Sequence, residues 1–132
     1  MEENQNYSKR VIAQAVIQKI EDTREPNEIK TKYLKGYPAP GVIKLKDEKE
    51  HVEMLYPDII AEYENETHLY EIELDEEIHS QKWKFMSLYA NRKNGNLYLV
   101  IPDFMRNKVK KSLDDNKINA AVLFFETKNN GS

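Results

Sequence analysis

The apolar positions fall into blocks whose spacing changes along the chain. Over residues 8–22, Ile12, Val16 and Ile20 recur every fourth residue with Ala13 and Ile17 beside them. That is the stripe of an amphipathic helix, with Ser8 placed as its N-cap and Pro26 closing it off. Residues 58–64 and 69–74 are two strand-like runs around the polar residues 65–68, the pattern of a hairpin. The second run alternates, so Tyr70, Ile72 and Leu74 share one face and Leu69, Glu71 and Glu73 the other. Helical spacing returns over 80–92, where Trp83, Met86 and Ala90 form a stripe that Phe85 and Tyr89 widen. Residues 93–96 supply the stop, with Gly95 expected at positive φ. Residues 97–101 are apolar throughout, which predicts a strand covered on both faces. Asp103 is placed to cap a third helix with Met105, Val109 and Leu113 as its stripe, and residues 118–125 form another nearly continuous apolar strand.

Residues 24–50 are the least regular stretch. Pro26, Gly36, Pro38, Pro40 and Gly41 interrupt it, and Lys30, Lys32, Lys35, Lys44 and Lys46 decorate it. A short strand is expected near 42–45. Tyr33 and Tyr37, beside Lys32 and Lys35, either pin this loop to the body or stack on nucleic acid. The whole predicts an α/β fold: a mixed central sheet flanked by helices, with the last strand–helix–strand unit a right-handed parallel crossover. With 132 residues the chain has room for one domain and little more, spanning 1–132 with flexible tails at 1–7 and 127–132.

Composition narrows the chemistry. With no cysteine, disulfides, thiolate zinc sites and a cysteine nucleophile are excluded. His51, His68 and His79 lack zinc-ligand spacing, and His68 is expected on the surface of the hairpin turn. There is neither a glycine-rich phosphate loop nor a G-x-S-x-G elbow. No apolar run approaches the ~20 residues of a membrane span, and the polar start lacks the shape of a signal peptide. The expectation is a soluble cytoplasmic protein with no membrane association.

Charge is what reshapes this picture. The net value of −3 argues against a polyanion ligand only if it is spread evenly. It is not: residues 1–57 hold ten acids and ten bases, residues 58–77 hold nine acids and no lysine or arginine, and residues 78–132 hold ten bases and four acids. Like charges on facing strand positions cost up to ~1 kcal/mol per pair. An acidic hairpin is therefore either a solvated edge or a place that collects carboxylates for a cation. Glu71 and Glu73 point the same way from one strand, and Asp58 can join them where the hairpin opens. A divalent cation held by oxygen ligands would give the three a reason to converge.

Pro57-Asp58, a spacer of 12 residues and then Glu71-Ile72-Glu73, set on a hairpin between a leading helix and a following helix, strand, helix and strand, resembles the PD-(D/E)XK nuclease superfamily. The resemblance covers about residues 8–126. It implies a restriction-endonuclease-like fold with an α-β-β-β-α-β core, and magnesium-dependent (or manganese-dependent) hydrolysis of phosphodiester bonds in DNA. It also implies Asp58 and Glu71 as catalytic metal ligands, with Glu73, standing where the family usually has lysine, either orienting or deprotonating the attacking water or completing the metal shell. Lys82 and Lys84 at the start of the next helix are then candidates for the catalytic basic residue that some members recruit from that helix, and Glu21 or Asp22 for an outer ligand. Gln81 and Tyr89 match residues that follow the motif in some families of the superfamily, although Tyr89 also reads as a core edge. Lys32, Lys35, Arg106 and Lys110 are the expected phosphate contacts. Cutting both strands would suit a homodimer or a partner protein. The superfamily includes members that bind without cutting, so a catalytically silent nucleic-acid- or protein-binding module stands as the alternative.

Overall fold

A computed structural model describes residues 2–46 and 48–126, with side chains from residue 8 onward. Its elements run α1 (Glu2–Thr23), β1 (Glu28–Thr31), β2 (Ile43–Lys46), β3 (Val52–Leu55), β4 (Ile59–Glu62), β5 (Thr67–Ile72), α2 (Ser80–Arg92), β6 (Leu97–Pro102), a 3-10 turn (Asp103–Met105), α3 (Arg106–Asp115) and β7 (Ala120–Phe125). The main sheet has the order β1-β4-β5-β6-β7. β1, β4 and β5 are antiparallel, whereas β5, β6 and β7 are parallel and joined through α2 and α3. β2 and β3 form a separate antiparallel hairpin. The protein is thus α/β, with a mixed central sheet flanked by helices.

Side-chain alternation divides the core into two layers. Ala13, Val16, Ile17 and Ile20 of α1 meet Tyr70, Ile72 and Val100 on one face of the sheet. Tyr33, Leu34 and Tyr37 pack against that layer, so this loop is held to the body by its own aromatic and aliphatic groups. On the other face, Trp83, Met86 and Ala90 of α2 and Val109 and Leu113 of α3 cover Leu69, Leu97 and Leu99. The β2–β3 hairpin adds Ile43, Leu45 and Leu55 to this second layer. Burying one such aliphatic side chain stabilises the fold by about 2 kcal/mol.

Several expectations are corrected. The segment expected as a tail at 1–7 is helical from Glu2, so Ser8 lies within α1 and does not cap it. The tail expected at 127–132 lies outside the described residues. Within 24–50 the chain forms β1 as well as β2, because Asn27–Thr31 aligns its backbone against β4 despite two intervening charges. β3, unanticipated, is the partner that makes β2 a strand. Asp103 lies inside the 3-10 turn, which begins after Pro102. Asn94, not Gly95, takes the left-handed conformation, at φ 65°. Gly95 is needed for a different reason: a Cβ there would collide with the carbonyl oxygen of Thr67 as β5 begins. β7 closes the sheet as an edge strand and is half-exposed, whereas β6 is enclosed as its composition predicts.

Candidate functional site

Asp58, Glu71 and Glu73 are all buried, at 4%, 4% and 7% exposure. Strand geometry explains the placement. Asp58 enters β4 just as β5 ends beside it, and the Asp58 carboxylate accepts the backbone N–H of Ile72 at 2.7 Å. Reciprocally, the Asp58 N–H donates to Glu71 Oε1 at 3.1 Å. Thr31 of β1, fully buried, donates its hydroxyl to the Asp58 carbonyl at 2.9 Å and fixes this backbone from the other side.

Asp58 meets donors from α1 and from the loop after β1, whereas Glu71 and Glu73 share donors from α2. Lys9 of α1 reaches both Asp58 oxygens at 3.3 Å, and the Tyr33 hydroxyl donates to Asp58 Oδ1 at 3.0 Å. Lys82, on the first turn of α2, lies 2.9 Å from Glu71 Oε2 and 3.5 Å from Glu73 Oε1. The Trp83 indole N–H donates to Glu73 Oε2 at 3.1 Å, and His79 Nε2 stands 3.7 Å from the same oxygen. Every oxygen of the three carboxylates therefore has a protein partner, as buried acceptors require.

Three carboxylates against two lysines leave one negative charge in excess, and Glu71 carries the consequence. Burial, with Asp58 and to a lesser degree Glu73 nearby, pushes its carboxyl up to about 8, although Lys82 opposes the shift. Burial pulls the Lys82 ammonium down, but Glu71 and Glu73 outweigh it and the net shift is upward. Burial and then the Asp58 charge raise the Tyr33 phenol, so its proton stays available as a donor.

The sequence-derived residues separate into two groups. Asp58, Glu71, Glu73 and Lys82 come together. Lys84 does not: two positions on in the helix turn it about 200° away, and it is exposed. Glu21 and Asp22 are exposed near the far end of α1. With Lys9 at Asp58, Glu21 stands twelve residues on, about 18 Å along the axis, so α1 offers a base rather than an acid. Gln81 is exposed, and Tyr89 packs at the edge of the core. Lys32 and Lys35 are exposed on the loop that carries Tyr33, whereas Arg106 and Lys110 lie beside β7, two strands from Glu71. His68 is buried on β5, bonded to Glu66 and to the Asn96 N–H, and is not a surface residue.

Lys9, Thr31 and Tyr33 were not assigned to the acids from sequence, and His79 was not placed in the cluster. Lys9 did carry a signal: it continues the stripe of Ala13, Val16 and Ile20 by one turn, so it faces the sheet. The others reach the site through β1 and loop contacts that leave no periodic trace.

Among the described residues, the only set of three metal-ligand side chains with donor atoms within 4.8 Å of one another is Asp75, Glu77 and His79. Asp58, Glu71 and Glu73 do not meet that spacing as a trio. Among the same residues no helix is long and apolar enough to cross a membrane. Compared with known protein families, curated proteins and solved structures, the chain matches none.

Proposed function

We propose that this chain is a magnesium-dependent nuclease domain of the restriction-endonuclease-like class, hydrolysing phosphodiester bonds in DNA. The observation that supports it best is Lys82 drawn against Glu71 beside Asp58 at the open end of the β4–β5 hairpin. This juxtaposes buried acids and a base where the resemblance to the PD-(D/E)XK superfamily expects them. The donor set suits the ion in kind: magnesium takes one or two carboxylates and keeps several waters, so Asp58 and Glu71 suffice, with Glu73 apart. Bound there, the ion would lower the pKa of an attacking water and offset charge on the phosphoryl group.

The chain's own residues divide the remaining work. Tyr33 and the Ile72 N–H hold the Asp58 carboxylate in one orientation. Lys9, whose two hydrogen bonds to Asp58 at 3.3 Å are the longest that this carboxylate accepts, is the group that would move aside for a cation. To hold a cation, Glu71 would be ionised, its proton passing to solvent water. Glu73, anchored by Trp83, keeps the Lys82 ammonium at the edge of the site, where it can meet a phosphate oxygen.

A second reading is a catalytically silent binding module on the same fold. The closed network favours it, since Lys9 and Lys82 already offset two of the three charges without a metal. The test is hydrolysis of plasmid and branched DNA with magnesium or manganese by the wild type and Glu71→Ala. Metal-dependent cutting that Glu71→Ala abolishes supports the nuclease. Cutting that survives unaltered defeats the assignment, and DNA binding with no cutting and no metal uptake by calorimetry selects the silent module.

A further inference from the structure

β7 ends the sheet, and among the described residues it pairs with β6 alone. Its residues, Ala-Ala-Val-Leu-Phe-Phe, include neither a charge nor a proline. Ala121 is exposed and Phe124 is 43% exposed. Edge strands offer free N–H and C=O groups to any other strand, and proteins usually guard them with charges, proline or bulges. The opposite edge is guarded in this way: β1 carries Glu28 and Lys30. β7 is left as a template.

The sequence of β7 says what it fits. Two copies meeting edge to edge about a two-fold axis normal to the sheet pair antiparallel and keep their faces. Facing residues must then lie on the same face, so the axis passes through a residue and not between two. With the axis at Val122, Ala120 faces Phe124 and Ala121 faces Leu123 of the second copy, a small side chain against a large one in each pair. The surroundings agree. A groove of about 500 Å³ between α3 and β7 opens beside Ala120, lined by Leu113, Ile118 and Val122, and can receive the Phe124 ring of the second copy. Arg106 stacks on Phe124 at 4.3 Å, and Asp114 lines the groove, at the end of α3 nearer Ala120. Bringing Phe124 to Ala120 therefore carries the Arg106 of one copy toward the Asp114 of the other.

We propose that the protein forms a symmetric dimer by antiparallel β7–β7 pairing centred on Val122, joining two five-stranded sheets into one. Glu71 is in register with Leu99, and Leu99 with Val122. The two Glu71 residues thus lie in one row through the axis, on the same face, five strand spacings or about 24 Å apart. Arg106 and Lys110 are then committed to the dimer seam rather than to DNA. The dimer stands or falls independently of the chemistry at the acidic site.

Sedimentation velocity over a micromolar to millimolar range, on the full chain, tests this. The wild type is expected to dimerise, and Ala121→Lys, an exposed site, to weaken dimerisation about tenfold or more while leaving the circular dichroism melt in place. Phe124→Lys gives a second disruption should Ala121→Lys unfold. Because the chain has no cysteine, register can be read by oxidation: a mixture of Ala120→Cys and Phe124→Cys chains should cross-link far more than either alone. A wild type that is monomeric throughout overturns the proposal. So does a dimer that both lysine variants leave intact, or one whose mixed cysteine chains fail to cross-link.

Discussion

Lys82 Nζ lies 2.9 Å from Glu71 Oε2, and this pair ties the start of α2 to the middle of the sheet. The Glu71 side chain is only 5% exposed, whereas that of Lys82 is 36% exposed, so water screens one partner and not the other. Lys82→Met should lower stability at pH 6 by about 1–2 kcal/mol, discounted for that screening. The loss should grow at pH 9, where Glu71 must ionise without its counter-charge. Urea unfolding at the two pH values measures both effects.

Glu71 itself sets a pH dependence. Burial, together with Asp58, raises its carboxyl from 4.5 to about 8 in the folded protein. Between those values the folded chain holds a proton that the unfolded chain has released, so stability falls as pH rises. The contribution is fully present below about pH 4.5 and is lost as pH passes through 8. Glu71→Gln cannot titrate and should remove this decline, so the variant should gain on the wild type steadily from pH 5 to pH 8 in urea midpoints. An unchanged slope would mean that Glu71 is ionised across the range.

Trp83 is fully buried, is the only tryptophan, and gives its N–H to Glu73. Trp83→Phe keeps most of the packing but removes that donor from a buried carboxylate. A loss of about 1–3 kcal/mol is expected. In a Glu73→Gln background the same change should cost less, a coupling that a double-mutant cycle by circular dichroism reads directly.

How far the chain could be read in advance depended on the range of the interactions. α2 was legible at both ends, because a four-residue stripe and a polar stop are local signals. The alternation of Leu69 to Glu73 was legible for the same reason, and with it the face shared by Glu71 and Glu73. β1 and β3 were not, since four-residue strands dotted with charges become strands only through partners far away in sequence or across a turn. The acids were readable as a set, but their partners were not: Lys9 lies 49 residues from Asp58 and Tyr33 lies 25 away. Lys82 and Lys84 were indistinguishable until helix phase turned one inward.

Gly95 shows how a correct residue can be expected for the wrong reason. Its φ is ordinary, yet any side chain there strikes the Thr67 backbone. Gly95→Ala should lower stability by about 2 kcal/mol or more, while Asn94→Gly, at a left-handed position, should be close to neutral. Thermal melts of the two variants distinguish a close approach from a conformational need.

The most direct test of the hydrolytic site compares magnesium-dependent cleavage of supercoiled DNA by the wild type, Lys82→Met and Lys84→Met. The wild type is expected to cut, Lys82→Met to be slower by about a hundredfold or more, and Lys84→Met to match the wild type. A wild type that does not cut, or a Lys82→Met variant that cuts as fast, would contradict the nuclease assignment.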